Sequence, residues 1–253
     1  LALQRTDEFG QLASQFDRMA EALQHQEQNR RAWLADVSHE LRTPLSILKG
    51  EIEALQDGVR PLDQHALRSL HDESLRLSHL VDDLYQMAQA DAGHLHYAMQ
   101  PLDFSALIQT AAERFHARFQ KAGLSFGLSC PPTPLYVLGD EQRLHQVLAN
   151  LLENSARYTH APGAVSMNCE AIGGEIILTL EDSAPSVPED ALPRLFDRLY
   201  RVESSRNRAH GGAGLGLAMS RSIIKAHGGQ LTAYASSLGG LGLRLSLPRG
   251  AMQ

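Results

Sequence analysis

Asp36-Val37-Ser38-His39-Glu40-Leu41-Arg42-Thr43-Pro44-Leu45 is the stretch on which the reading of this chain turns. Leu34, Val37, Leu41, Pro44/Leu45, Leu48, Ile52 and Leu55 recur at alternating threes and fours, which predicts a helix with one apolar seam built to pack against other helices. His39 falls off that seam and is expected to face solvent. Arg42 and Thr43 lie three and four residues on, and so share its helical face. Pro44 cannot donate to the carbonyl of Glu40, which predicts a kink beside the histidine. A neutral imidazole next to a carboxylate can act as a nucleophile, with its other ring nitrogen oriented by that carboxylate. A lone histidine here would read as exposed and inert; the whole string argues otherwise.

Upstream, Leu12, Phe16, Met19 and Leu23 keep a three-four spacing, and polar Gln24 to Arg31 continues the helix into the histidine stretch. Downstream, the helix is expected to break at the turn Asp57-Gly58-Val59-Arg60-Pro61. Asp63 is placed to cap a second helix. That helix carries Leu67, Leu70, Ser74, Leu77, Val81, Leu84 and Ala88 and ends near Gly93. Two antiparallel helices with one seam each cannot enclose a core, whereas two such hairpins can, so a homodimeric four-helix bundle is expected. His65, His71, His79, His94 and His96 lack ligand spacing and read as solvated or capping residues.

Composition narrows the class. Hydrophobic residues make up 43% and charged residues 21% of 253, enough for one or two soluble domains. A net charge of −6 with no basic run argues against nucleic acid as a partner. Cys130 and Cys169 form neither a ligand pattern nor a disulfide framework and read as small buried residues. No apolar run approaches the ~20 residues that cross a bilayer. The chain opens at Leu1 in mid-pattern, so a longer parent is expected.

Beyond a linker at 94–103 the pattern becomes α+β. Phe104 to Lys121 reads as an amphipathic helix, and Ser125 to Leu138 as a strand interrupted by Pro131-Pro132-Thr133-Pro134. Gly139-Asp140 opens a helix from Glu141 to Tyr158. On it Leu144, Val147, Leu148, Leu151 and Leu152 form a core arc, while Gln146, Asn150, Asn154 and Arg157 form the opposite one. Asn carbonyls are hard ligands that suit Mg²⁺ carried by a triphosphate, and Arg157 can fork onto phosphate oxygens. Two hairpins follow, Ala164–Glu170 with Glu175–Glu181 and Gln230–Ser236 with Leu241–Leu247. Between them lies Asp182 to Gly216, long enough for a functional lid, then a helix from Leu217 to His227.

His39-Glu40-Leu41-Arg42-Thr43-Pro44 resembles the H-box of sensor histidine kinases of two-component systems. Asn150-Leu151-Leu152-Glu153-Asn154-Ser155-Ala156-Arg157-Tyr158-Thr159 resembles their N-box. Phe196-Asp197-Arg198-Leu199-Tyr200-Arg201 resembles the F-box, and Gly212-Ala213-Gly214-Leu215-Gly216-Leu217-Ala218 the second glycine box. The ATPase fold so implied is the α/β sandwich shared with gyrase, Hsp90 and MutL. Asp182 matches the aspartate that accepts a hydrogen bond from the adenine amino group. The first glycine box departs from the family: Asp182-Ser183-Ala184-Pro185-Ser186 replaces both glycines, which predicts a different, stiffer loop that still presents Asp182. Followed by Leu195-Phe196-Asp197-Arg198-Leu199-Tyr200-Arg201 and Ser204-Ser205-Arg206-Asn207-Arg208, this box resembles that of envelope-stress sensors of the BaeS type. Asp7-Glu8-Phe9-Gly10 resembles the second helix of a HAMP module, although a generic coiled-coil lead-in fits the same residues equally well.

The resemblance implies four segments: the end of HAMP at 1–29, a dimerisation and phosphotransfer hairpin at 30–93, the linker at 94–103, and an ATP-binding domain at 104–250. It implies ATP and Mg²⁺ as cofactors, with Asn150 and Asn154 on the metal. Nucleotide contacts fall to Asn150, Asn154, Arg157, Tyr158, Asp182, Arg198, Gly212, Gly214, Leu215 and Gly216. Phosphoryl transfer falls to His39, with Glu40 as general base or orienting group, Arg42 balancing charge, and Thr43 positioning water for dephosphorylation of a response regulator. It further implies a membrane-anchored parent whose kinase core lies on the cytoplasmic face of the inner membrane. An ATPase of this fold that does not phosphorylate itself, or a dimeric scaffold that no longer binds ATP, fits the same sequence.

Overall fold

A computed structural model describes residues 8–91, 96–202 and 214–250. Asp7, Gly93, His94, Ser204 to Arg208 and Gly212, singled out above, lie outside the described residues. The chain divides into two compact units, one ending at Val81 and one beginning at Asp82.

The first unit is a helical hairpin. Helix α1 spans Glu8–Gln56 without interruption and carries Pro44 inside it, so the lead-in and the histidine stretch form one helix. Gly58 at φ 70° ends it, a conformation that glycine adopts without strain. Helix α2, Gln64–Asp91, starts on the expected cap: Ala66 N–H donates to Asp63 Oδ1 at 2.8 Å. That bond holds the Asp63 carboxyl below its ordinary range. Ser69 Oγ donates to Glu51 Oε1 at 2.8 Å, and Arg60 pairs with the same oxygen at 3.5 Å, tying the helices at the turn.

The covered face of α2 keeps Leu70, Leu77 and Leu84 of the expected seam and elsewhere turns by one residue toward Ala66, Leu80 and Met87. Ala66 and Leu80 are buried and Leu70 and Leu77 half-buried, whereas Leu67 and Val81 are about half exposed. On α1, Pro44 is buried while Leu34, Leu45 and Ile52 stay exposed. The hairpin therefore leaves a row of apolar side chains uncovered, more than an isolated pair of helices should offer to water.

The second unit is a layer of helices on a mixed sheet. Strand β1, Gln100–Asp103, pairs antiparallel with β3, Tyr136–Gly139. The linker expected at 94–103 therefore ends in an edge strand, where Pro101 needs no donor. Helix α3, Phe104–Lys121, follows directly, capped by Asp103. The main sheet has the order β2-β4-β5-β7-β6, with β2 Leu124–Ser129, β4 Gly163–Ile172, β5 Glu175–Ser183, β6 Gln230–Ala235 and β7 Gly239–Pro248. Among the described residues only the β2–β4 pair is parallel. The single strand expected from Ser125 to Leu138 thus divides, its halves joining different sheets on either side of the proline run.

Helices α4, Glu141–Tyr158, and α5, Gly216–Ala226, complete the layer beside α3. The expected arc of α4, Leu144, Val147, Leu148, Leu151 and Leu152, is fully buried, as are Phe104 and Ile108 of α3, Leu178 and Leu180 of β5, and Ile223 of α5. Phe119 stacks on Phe126 with ring centroids 4.7 Å apart. Burial at roughly 25 cal/mol per Å² of apolar surface makes this core the main stabilising element.

Candidate active site

Helix α4 is fixed at its start by a polar tie. Asp140 caps it, Oδ1 accepting from Arg143 N–H at 3.0 Å, while Oδ2 accepts from Ala98 N–H at 2.9 Å. Burial opposes the charged form of Asp140, but those N–H donors hold its carboxyl below the ordinary range. Its own N–H donates to His227 Nε2 at 2.9 Å. His227 Nδ1 lies 2.7 Å from the carbonyl of Ile223, so the bonds require a neutral ring with its proton on Nδ1. Tyr97 meets that ring edge-on at 5.5 Å. The end of α5 is thereby locked to the start of α4, a role for His227 that no local pattern announces.

One end of the site is Asp182, which is 5% exposed near the end of β5. Opposite it the β5–β7 register shifts: Glu181 pairs with Gly242 and Ser183 with Gly239, so two residues of β7 face one of β5. This bulge aims the N–H of Leu241 at Asp182 Oδ1, 2.7 Å away. Ser155 Oγ, from α4, donates to Asp182 Oδ2 at 3.2 Å. Burial raises the Asp182 carboxyl to about 6, with the Leu241 and Ser155 bonds pulling the other way. Gly240 permits the approach, since a Cβ there would collide with the backbone oxygens of Ser183 and Asp182 and with Asp182 Oδ1.

The loop after Asp182 carries no strained residue. Among the described residues Leu199 is the only non-glycine at positive φ, so Ala184 and Ser186 adopt ordinary backbone. Ser183 Oγ accepts from Ala164 N–H at 2.9 Å, and His160 N–H donates to the Ala184 carbonyl at 2.9 Å. Hydrogen bonds from neighbouring strand and loop replace the freedom that glycines supply elsewhere in the family pattern.

The other end lies about one and a half turns back along α4. Asn150 Nδ2 is 3.5 Å from the carbonyl of Gly216, and a Cβ on Gly216 would stand 3.6 Å from the Asn150 amide. Gly216 opens α5, and among the described residues no side chain caps that helix; Leu215, at the cap position, is buried. Its first N–H groups therefore have no side-chain acceptor there, the arrangement that holds phosphate at a helix start. Gly214, at φ 73°, accepts from Leu199 N–H at 3.0 Å, and a Cβ there would strike Leu199 and Tyr200 backbone. Gly212 lies outside the described residues.

The remaining expected residues divide. Asn154 is half-buried on the same face of α4 as Asn150. Arg157 is paired with Glu153 Oε1 at 3.2 Å, an oxygen that also takes Arg118 from α3. Gln146 donates to Gln86 Oε1 at 2.8 Å, beside Arg143 on the same oxygen. Tyr158 is half-buried and Arg198 exposed. Arg194 lies over the Tyr200 ring at 4.3 Å and Arg221 over Phe196 at 5.2 Å, bracing the segment around Leu199.

A nucleotide fits this set. Asp182 offers a buried acceptor, five residues of α4 (roughly 7.5 Å of rise) separate Ser155 from Asn150, and the start of α5 offers N–H donors that no side chain among the described residues caps. With its Nδ2 turned to Gly216, Asn150 keeps Oδ1 available as a hard ligand for Mg²⁺. No cluster of three or more His, Cys, Asp or Glu forms a metal centre among the described residues, so a divalent ion here would depend on Asn oxygens and on phosphate.

In the hairpin unit His39, Arg42 and Thr43 are exposed and Glu40 is half-buried. Thr43 Oγ1 donates to the His39 carbonyl at 3.3 Å, and Ser38 Oγ to that of Leu34 at 2.8 Å. The Thr43 hydroxyl is thus engaged with the backbone of His39 rather than its ring. Sequence reasoning missed Ser155, Gly240, Leu241 and His227; a serine directly after Asn154 is in plain view, but its partner is 27 residues away.

Residues 29–93 match the family described as the His Kinase A (phospho-acceptor) domain, and residues 139–251 the histidine kinase-, DNA gyrase B-, and HSP90-like ATPase. The signal transduction histidine-protein kinase BaeS of Escherichia coli is 45% identical over 96% of this chain and 52% of its own length. The chain therefore spans about half of that relative. The solved structure of Acinetobacter baumannii histidine kinase AdeS superposes with a TM-score of 0.70 at 30% identity, covering 84% of this chain and 98% of that one. Histidine kinase ThkA, solved in complex with response regulator protein TrrA, shares the fold with a TM-score of 0.70 at 19% identity, over 98% of this chain and 68% of that one.

Proposed function

Because this chain belongs to the sensor histidine kinases, we propose that it is a kinase core that phosphorylates itself on His39 and passes the phosphoryl group to an aspartate of a response regulator. Asp182 accepts the adenine amino group, and the phosphates lie against the start of α5 at Leu215 and Gly216. Asn150 and Asn154 would hold a Mg²⁺ carried by the triphosphate, which would supply positive charge beside the transferred group. A ring nitrogen of His39 forms the new N–P bond as the bridging P–O bond to ADP breaks. Glu40 orients the imidazole or takes its proton, and Arg42 and Arg157 balance charge. Arg157 must exchange Glu153 for phosphate to do so.

The observation that carries this reading is that one helix, α4, joins the buried acceptor at Asp182 to the start of α5, which no side chain caps among the described residues. Exposed Leu34, Leu45, Ile52 and Leu67 support a homodimer closed into a four-helix bundle. Thr43 serves dephosphorylation of the regulator. Residues 1–29 form the end of a HAMP module, in a membrane-anchored parent whose kinase core faces the cytoplasm. No helix among the described residues is long and apolar enough to cross a membrane, and the chain spans 52% of the length of BaeS.

The test is incubation with γ-labelled ATP and Mg²⁺, with His39→Gln as control. Acid-labile, base-stable label is expected on the parent and absent from the variant. ATP turnover without protein-bound label would favour an ATPase of the same fold, and no nucleotide-induced melting shift would favour a scaffold.

A further inference from the structure

On the reading that Asp182 receives the adenine, we infer that Ser155 is a specificity-determining positioning residue, whose hydroxyl keeps Asp182 in the acceptor state that selects a 6-amino purine. Asp182 has two oxygens and both are used: Oδ1 by the Leu241 N–H at 2.7 Å and Oδ2 by the Ser155 hydroxyl at 3.2 Å. The first donor is main chain and cannot be removed by a side-chain truncation. The second is, among the described residues, the only side chain that hydrogen-bonds this carboxylate, and Ser155 is itself 1% exposed.

The charged groups nearby are turned elsewhere. On β5, Glu181 accepts from Ser237 N–H at 2.9 Å. On α4, Glu153 is occupied by Arg118 and Arg157. Among the described residues no charged side chain from α4, β5 or β7 shifts Asp182; burial, Leu241 and Ser155 account for its position. A carboxylate raised to about 6 is close enough to neutrality for one hydrogen bond to matter.

The two protonation states of Asp182 recognise different purines. The carboxylate accepts from an exocyclic amine and repels a carbonyl. The acid carries a proton that must occupy Oδ2, because Oδ1 already faces an N–H; it can then donate to a 6-oxo group. Serine can donate to the charged form or accept from the neutral one, so it follows either state but stabilises the charged one. Alanine does neither, and the neutral form gains. Ser155 therefore sets the pH below which the site stops distinguishing adenine from hypoxanthine.

The experiment measures ADP and IDP affinity by calorimetry on the full 253-residue chain, across a pH range from about 5.5 to about 8.5 that brackets the titration of Asp182. The proteins are the parent, Ser155→Ala, Ser155→Thr and Asp182→Asn. A hydrogen bond to the charged form worth roughly tenfold in ionisation moves the acid limb of ADP binding upward by about one pH unit in Ser155→Ala. That variant should bind ADP about fivefold more weakly than the parent near pH ~6 and equally near pH ~8, with its ADP:IDP preference narrowing at correspondingly higher pH. Ser155→Thr, which keeps the hydroxyl, should follow the parent. A loss of the same factor at every pH would mean that Ser155 only supports the fold, and superimposable Ser155→Ala and parent curves would also overturn the inference. If Asp182→Asn binds ADP as the parent does, the adenine is read elsewhere and the underlying reading falls as well. If Asp182→Asn is weakened while Ser155→Ala is unchanged, only the inference about Ser155 falls.

Discussion

Replacing Gly240 with alanine should damage nucleotide binding more sharply than any change in the loop that the family pattern marks for glycine. The added Cβ would stand 2.6 Å from the Asp182 carbonyl oxygen, and closer still to the Ser183 carbonyl and to Asp182 Oδ1. A carbon rests against oxygen at roughly 3.3 Å or more, so β7 must retreat by about 0.7 Å or more at this point. The bond from Leu241 N–H to Asp182, 2.7 Å long, is lost or badly stretched by such a shift. An orphaned buried acceptor costs about 1–3 kcal/mol, and forced strand separation adds about 1–3 kcal/mol. A net loss of ~2–4 kcal/mol lowers Tm by about 5–15 °C for a unit of this size. ADP affinity should fall at least about tenfold, ~1.4 kcal/mol. Thermal melting followed by circular dichroism and an ADP titration measure both quantities. Gly127→Ala is the control, because a Cβ at Gly127 meets nothing within 4 Å. Parental Tm and parental ADP affinity in Gly240→Ala would refute the claim that the bulge holds Asp182 in place.

Three further outcomes follow from the same site. His39→Gln should abolish acid-labile labelling while ADP binding stays within about twofold of the parent, since His39 belongs to the other compact unit; label persisting in the variant would move the acceptor elsewhere. Thr43→Ala should retain self-labelling and lose activity toward a phosphorylated regulator, whereas equal loss of both would assign Thr43 to support of α1 through its bond to the His39 carbonyl. Asp182→Asn should weaken ADP binding more than about tenfold yet raise the stability of the free protein at alkaline pH. The sign follows from the raised folded value, about 6, against ~3.9 for an unfolded aspartate: its favourable contribution is complete below pH ~3.9 and is lost as pH rises through about 6. Above that the buried charge costs up to ~3 kcal/mol, which asparagine removes while still accepting from Leu241. The Tm difference should be largest near pH ~8 and vanish toward pH ~4; a constant difference would mean that Asp182 does not titrate as described.

What can be read in advance, and what cannot, divides by the range of the interaction. The arc of Leu144, Val147, Leu148, Leu151 and Leu152 is a local periodicity, and the helix it announces is present with its cap at Asp140. Asp63 as a cap and Gly58 as a stop are equally local, and both hold. Asp182 stands out only through its match to the family's adenine-binding aspartate, since a strand-end position alone reads as a turn, and its partners are not legible at all: Leu241 is 59 residues away and a bulge has no signature of its own. The same applies to His227, whose bond to Asp140 spans 87 residues. Strand β1 escapes notice because four residues containing a proline carry no alternation, and its pairing depends on β3. Arg157 is assigned to phosphate by its arc on α4; Glu153, one turn back, and Arg118, on another helix, tie it into an ion pair that periodicity does not reveal.

The position of β7 in the sheet has a consequence for synthesis. It enters between β5 and β6, so the strand that supplies the Leu241 N–H is made after every other strand of the sheet. A chain emerging from the ribosome exposes His39 first and Asp182 much later. Until residues near Leu247 have left the exit tunnel, Asp182 lies on a strand paired on its β4 side alone, with no Leu241 N–H on Oδ1. The proposed acceptor histidine therefore exists for most of translation without a finished nucleotide site on the same chain. Truncation between α2 and β7 should leave the hairpin without a finished nucleotide site, so that the shortened chain takes up no label from ATP by itself.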